Sequence, residues 1–144
     1  MTTLVIDASV AAKWFLPAQA EPHVEQALDL LSRYVAEDLR FVVPDLFWAE
    51  LGNIFWKAAR QRRWSESDGE TAVRALRERR IPSVASFALL EDAFSISIAY
   101  DRSVYDCIYV ALALVSKADL ITADERLANA LAAHLPVKWL GSFV

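Results

Sequence analysis

The chain alternates short apolar runs with longer segments whose apolar residues recur at helical spacing. Leu4-Val5-Ile6 is an apolar triplet ending at Asp7, which reads as a short strand. Ser9 to Phe15 follows as a short helix, with Ser9 placed to cap it and Pro17 to stop it. Pro22 to Glu37 carries Val24, Ala27, Leu28, Leu31 and Val35 on one face, the signature of an amphipathic helix. Phe41-Val42-Val43 is the next strand, closed by Pro44, and Asp45 caps a helix from Leu46 to about Arg62. Ser65 caps another, with Ala72, Val73 and Leu76 as its apolar face. Ile81 to Val84 is a short strand that Pro82 confines to a sheet edge, because proline cannot donate to a ladder. Phe87–Tyr100 and Tyr105–Ser116 read as two helices, Leu120-Ile121-Thr122 as a strand, Asp124–Ala133 as a helix and Val137–Leu140 as a closing strand.

Strands separated by helices pair in parallel through right-handed crossovers. Near-continuous apolar strands are those covered on both faces. The expected architecture is therefore a single α/β domain, a central parallel β-sheet flanked by helices on both faces. No internal repeat and no long linker divides the chain, and 144 residues suit one domain. In such sheets sites collect at the carboxyl ends of the strands. Asp7 sits at one such end and Asp124 lies shortly after another.

Composition and charge narrow the class. Hydrophobic residues make up 56% of the chain and charged residues 24%, which excludes a disordered polypeptide. A single cysteine, Cys107, excludes an intrachain disulfide. The N-terminus shows no basic region ahead of an apolar run, and no stretch of 18 uncharged apolar residues exists. The expectation is a soluble cytoplasmic protein. Fifteen basic against nineteen acidic residues give a net charge of −4, which argues against coating nucleic acid by bulk charge.

Four acids carry the candidate chemistry, although each also has an ordinary structural reading. Asp7 could bond only its neighbouring turn amides. Glu50 is the only acid in an otherwise apolar segment, Leu46–Trp56, and with Asn53 and Lys57 it forms a row at spacings of three and four. Asp106 follows Ser103 by three, a capping-box spacing. Asp124 is well placed as a helix N-cap. Taken together, these acids are positioned to share one cleft, where mutual repulsion would raise their proton affinity unless cations neutralised them. Oxygen ligands without His or Cys select Mg²⁺ or Mn²⁺ over zinc. His23 and His134 lie far from the acids in sequence and read as surface or packing residues, and Cys107 as a small packed residue.

The strings Val5-Ile6-Asp7-Ala8-Ser9, Ala49-Glu50-Leu51-Gly52-Asn53, Tyr105 through Ala113, and Leu120-Ile121-Thr122-Ala123-Asp124 resemble PIN-domain ribonucleases. The resemblance is greatest to the toxins of VapBC-type toxin–antitoxin pairs, and it spans essentially the whole chain, residues 1–144. It implies Mg²⁺- or Mn²⁺-dependent cleavage of RNA, with Asp7, Glu50, Asp106 and Asp124 as an acidic cluster for one or two ions. Ser9 and Thr122 match hydroxyl positions that support such a cluster, and Asn53 matches a recurrent polar position one turn after the Glu. The resemblance also implies a homodimer and a cognate antitoxin laid over an apolar groove.

Two other features bear on partners. Between Lys57 and Arg80 eight basic residues face four acidic ones, a local balance of +4, while the remainder of the chain carries −8. A charge run is commonly a solvated helix face; its alternative is a phosphate-tracking patch, for which Lys57, Arg60, Arg62 and Arg63 are candidates. Trp14, Phe15, Phe47, Trp48, Phe55 and Trp56 cover more than one face of their helices. Any part left exposed would mark a protein partner surface, or less readily a base-stacking one. Rival readings are another metal-dependent α/β phosphoryl-transfer enzyme and a catalytically inactive PIN-like protein-interaction module. An aspartyl-phosphate phosphatase would place a second Asp two residues after Asp7, where Ser9 stands. No glycine-rich dinucleotide fingerprint follows the first strand.

Overall fold

A computed structural model describes residues 1–142. Its five strands are β1 (Thr2–Ile6), β2 (Leu39–Pro44), β3 (Ser83–Val84), β4 (Asp119–Thr122) and β5 (Val137–Trp139). They form one sheet in the order β3-β2-β1-β4-β5, and every pairing is parallel. The helices are α1 (Ala8–Ala11), α2 (Val24–Val35), α3 (Leu46–Arg60), α4 (Glu66–Leu76), α5 (Ser86–Tyr100), α6 (Val104–Ser116) and α7 (Glu125–Leu131). No described helix is long and apolar enough to cross a membrane.

Leu4, Val5 and Ile6 are all buried, as are Leu120, Ile121 and Thr122. Successive strand residues point to opposite faces, so these runs show that both sheet faces are covered at the centre. Pro82 and β3 lie at one edge, as the missing N–H of proline requires. β1 pairs with β2 on one side and β4 on the other. The chain winds outward from β1 to β3, then crosses back to β4, so the topological switch lies between β1 and β4. That crevice is where an α/β sheet of this kind leaves room for ligands.

Several local readings need correction. Ser9 does not cap the first helix: Asp7 is its N-cap and accepts from the Ser9 N–H at 3.5 Å. Asp45 does not cap α3 with its side chain. Its carboxylate instead accepts from the Ser86 N–H at 3.0 Å and the Ser86 hydroxyl at 2.5 Å, while Ser86 Oγ accepts from the Leu46 N–H at 3.2 Å. The two helix starts are therefore tied to each other, which a local reading of spacing could not show.

The inward face of α2 is also rotated from the expected one. Ala27 and Leu30 are buried, whereas Leu28 and Val35 are exposed. Aromatic contacts accompany this angle: Trp14 stacks on Phe41 and donates to the Ala27 carbonyl at 2.8 Å, and Tyr34 stacks on Phe41 with ring centroids 4.4 Å apart. Helix ends differ by one to a few residues. α3 stops at Arg60 because Arg62 takes a left-handed conformation (φ 58°), its N–H bonding the Ala59 carbonyl and the Arg63 N–H the Ala58 carbonyl. Val73, expected on the buried face of α4, is largely exposed.

Candidate active site

Asp7 leaves β1 at the switch point, its N–H bonded to the Ile121 carbonyl of β4 at 3.1 Å. One carboxylate oxygen accepts from the Ser9 hydroxyl at 3.0 Å and from the Thr122 hydroxyl at 2.7 Å. Both hydroxyls are themselves anchored: Ser9 Oγ accepts from the Ala123 N–H at 3.1 Å and Thr122 Oγ1 from the Asp124 N–H at 3.1 Å. These bonds tie the end of β1 to the end of β4 and fix the Asp7 rotamer. The other carboxylate oxygen has only the long contact from Ser9 N–H, which leaves it the freer of the two.

Glu50 reaches the same region from the second turn of α3, where the Tyr109 hydroxyl of α6 donates to it at 2.7 Å. Asp106 stands in the first turn of α6, its N–H bonded to Ser103 Oγ at 3.2 Å, so the capping role foreseen for Ser103 is real. This leaves the Asp106 carboxylate unneeded for its own helix cap. Asp124 lies at the rim and is exposed; one oxygen caps α7 by accepting from the Arg126 and Leu127 N–H groups at 3.0 and 3.2 Å. Its structural reading is thus also correct, and one oxygen remains for another task.

Electrostatics link these acids to one another. Burial, chiefly, holds the Asp7 carboxyl above its ordinary range, with Asp106 adding to the rise while the Thr122 and Ser9 bonds oppose it. Burial likewise raises Glu50, helped by Asp7 and Asp106 and opposed by the Tyr109 bond. Asp106 is raised by burial and by Asp124, and eased by Ser103 and the nearby Arg102 cation. No ion pair found among the described residues includes any of the four acids. The site is a confined patch of acids with Arg102, beside Asp106, as a partial counter-charge.

That donor set fits a hard divalent cation. Among the described residues no three acids converge closely enough to hold an ion unaided. Mg²⁺, however, keeps several waters and takes only one or two carboxylates together with substrate phosphate, so a loose set suits it. Neither histidine approaches the acids: His23 packs edge-on against Trp139, and His134 is exposed beyond α7. Cys107 is fully buried, and burial pushes its thiol up, away from nucleophilic use.

The remaining candidates separate from one another. Asn53 and Lys57 are exposed, one and two turns beyond Glu50 on α3. Arg60 lies over the Trp56 ring at 5.4 Å, and Arg62 is exposed at the helix end. Arg63 is engaged instead by Glu21, which also pairs with the buried Lys13 at 3.3 Å. Two residues of the site escaped sequence reasoning. Tyr109 was absorbed into an apolar run, although it stands three residues after Asp106, on the same helix face. Arg102 sits beside Asp106 and donates to the Arg126 carbonyl at 2.9 Å, joining the approach to α6 with the start of α7; nothing in the local sequence marked it.

Comparison with known proteins agrees with the geometry. The PIN domain family model matches residues 4–131. Ribonuclease VapC3 of Pyrobaculum aerophilum is 33% identical over 128 residues, 88% of this chain and 92% of that protein. The crystal structure of Mycobacterium tuberculosis VapC20, described as a sarcin–ricin loop cleaving toxin, is similar with a TM-score of 0.63 at 15% identity, covering 92% of this chain and 95% of that one. A toxin–antitoxin complex from Klebsiella pneumoniae gives a TM-score of 0.58 at 15% identity, covering 94% and 95%. At such identities the two structural likenesses speak for the fold alone.

Proposed function

The chain belongs to the PIN-domain family, and from that premise we propose that it is a divalent-metal-dependent endoribonuclease, the toxin of a type II toxin–antitoxin pair. One observation carries this reading: Asp7, Glu50 and Asp106, from three separate elements, meet at one crevice where burial raises their proton affinity, Asp106 adding to the rise at Asp7 and Glu50 and Asp124 at Asp106, with no ion pair to any of them among the described residues. A fold gains nothing from such crowding unless a cation relieves it.

Asp7 and Asp106 are the principal ligands for one or two Mg²⁺ or Mn²⁺ ions, directly or through water, with Glu50 and Asp124 completing the set. When bound, the metal neutralises phosphate charge, activates a water and stabilises the leaving oxygen. The chain's own residues supply the positioning. Ser9 and Thr122 immobilise Asp7, Ser103 frees Asp106 from capping, and Glu50 is placed to orient the attacking water or accept its proton. Lys57 lies seven residues beyond Glu50 on α3, about 10 Å along the helix axis. Together with Asn53, Arg60 and Arg62 it extends the site with groups that hold phosphates of the RNA strand.

The partners follow from surfaces the monomer leaves uncovered. Trp56 and Val73 are 55% and 47% exposed on either side of a groove of about 620 Å³ between α3 and α4, and this groove receives the cognate antitoxin. Phe87, Phe94 and Ile98 project from one side of α5 with exposures of 86%, 58% and 72%, and this stripe meets a second copy in a homodimer.

The test is Asp7→Asn and Asp106→Asn, assayed for Mn²⁺-dependent cleavage of RNA and for growth arrest on expression. Each substitution should lower cleavage by at least about a hundredfold, since it removes charge at the metal itself. Circular dichroism should show the fold intact. Unchanged cleavage by both folded variants overturns the reading.

A further inference from the structure

Within the site, Tyr109 has no role in the chemistry set out above. Its ring is 2% exposed in the middle of α6. A phenol so fully buried must find a polar partner for its hydroxyl. It finds one across the crevice, donating to Glu50 Oε1 at 2.7 Å.

We propose that Tyr109 is a positioning residue for Glu50: its hydroxyl occupies one carboxylate oxygen and thereby turns the other toward Asp7 and Asp106. This inference rests on Glu50 taking part in the reaction. Three observations support it. Glu50 sits on α3 and has no other hydrogen-bond partner among the described residues, so without Tyr109 its side chain would be free to turn. Tyr109 and Asp106 lie three residues apart on one rigid helix, so the group that aims Glu50 is fixed to the helix that carries Asp106. The Tyr109 hydroxyl also lies near the Ala8 backbone at the start of α1, directly after Asp7. The hydroxyl is thus bonded to Glu50 and close to Asp7, and its helix carries Asp106, so one contact sets Glu50 relative to the other two. Partners that orient ligands in this way typically matter by roughly 10–100-fold in metal affinity or activity.

Tyr109→Phe removes the hydroxyl and keeps the packing of the ring. The expected result is a loss of roughly tenfold in kcat for RNA cleavage, with KM unchanged within about twofold, and a similar loss in Mn²⁺ affinity measured by calorimetry without RNA. The decisive comparison repeats the substitution in a Glu50→Ala background. If Tyr109 acts through Glu50, Tyr109→Phe has no further effect there on Mn²⁺ affinity or residual cleavage. Equal losses in both backgrounds would show a general structural effect and overturn the proposal, as would wild-type kcat and Mn²⁺ affinity in Tyr109→Phe alone. A Glu50→Ala protein that cleaves RNA and binds Mn²⁺ like the parent would instead overturn the role given to Glu50. The two failures are therefore distinguishable.

Discussion

The acidic crevice and the basic segment from Lys57 to Arg80 carry opposite charge and are organised in opposite ways. In the crevice, acids from distant parts of the chain are gathered, fixed by hydroxyls and left without an ion pair among the described residues. In the basic segment, neighbours in sequence are dispersed to different tasks. Arg63 is engaged by Glu21, Arg60 covers Trp56, Arg74 pairs with Glu70 at 3.5 Å and Arg79 lies 6.0 Å over Phe15. Clustering in sequence is thus a poor guide to clustering in space. Crowding of like charge that the fold leaves uncorrected points to function, whereas charge that the fold pairs off points to stability.

The most direct way to break this contrast is the pH response of the crevice. Asp7, Glu50 and Asp106 have native proton affinities raised by burial and, to a lesser degree, by neighbouring acids of the same crevice. The folded state therefore holds protons that the unfolded chain releases near pH 4. Their stabilising contribution is complete below that value and is lost as pH rises through the raised native values. Metal-free protein should melt higher near pH 5 than at pH 7, by ~5 °C, and Mn²⁺ should add more to the melting temperature at pH 7 than at pH 5. Asp45 has the opposite sign. Its bonds to Ser86 hold it below the ordinary range, so its contribution is present above the unfolded value and is lost only as pH falls through the native one. A Mn²⁺ increment independent of pH would mean that the acids are not relieved by the ion.

The same contrast explains what could be read from the sequence. Leu4–Ile6 and Leu120–Thr122 could be recognised as central strands because burial on both faces demands an unbroken apolar run. Asp7 and Asp124 were visible because strand order alone places their ends at the crevice. Features set by distant contacts were not visible. Asp45 turns to Ser86, forty-one residues away, and α2 rotates to let Tyr34 stack on Phe41. Tyr109 reads as core because its ring is core; only its oxygen belongs to the site.

The second prediction concerns the cations the fold has paired. Glu21 holds both Lys13, 6% exposed, and Arg63. Glu21→Gln would leave the Lys13 ammonium buried beside another cation, at a cost of ~3 kcal/mol in urea unfolding. Arg63→Ala leaves the Lys13–Glu21 pair in place and should cost only about 1 kcal/mol. If Arg63 instead proved silent in stability but important for RNA, the pairing seen here would not describe its use.

The smallest effect divides the basic segment most cleanly. Each phosphate contact to a single strand contributes ~0.7 to the slope of log affinity against log salt. In an Asp106→Asn background, where RNA should stay uncleaved, Lys57→Ala should reduce that slope by ~0.7, and Lys57→Ala with Arg62→Ala by ~1.4. Arg63→Ala should leave it unchanged, since its guanidinium is already engaged by Glu21 within the fold. A slope that falls equally for Arg62 and Arg63 would mean the patch acts as a continuous field and position along it is irrelevant. A fall confined to Lys57 and Arg62 would mean that RNA reads only cations outside the ion pairs of the fold, on the helix that also presents Glu50 and just beyond its end.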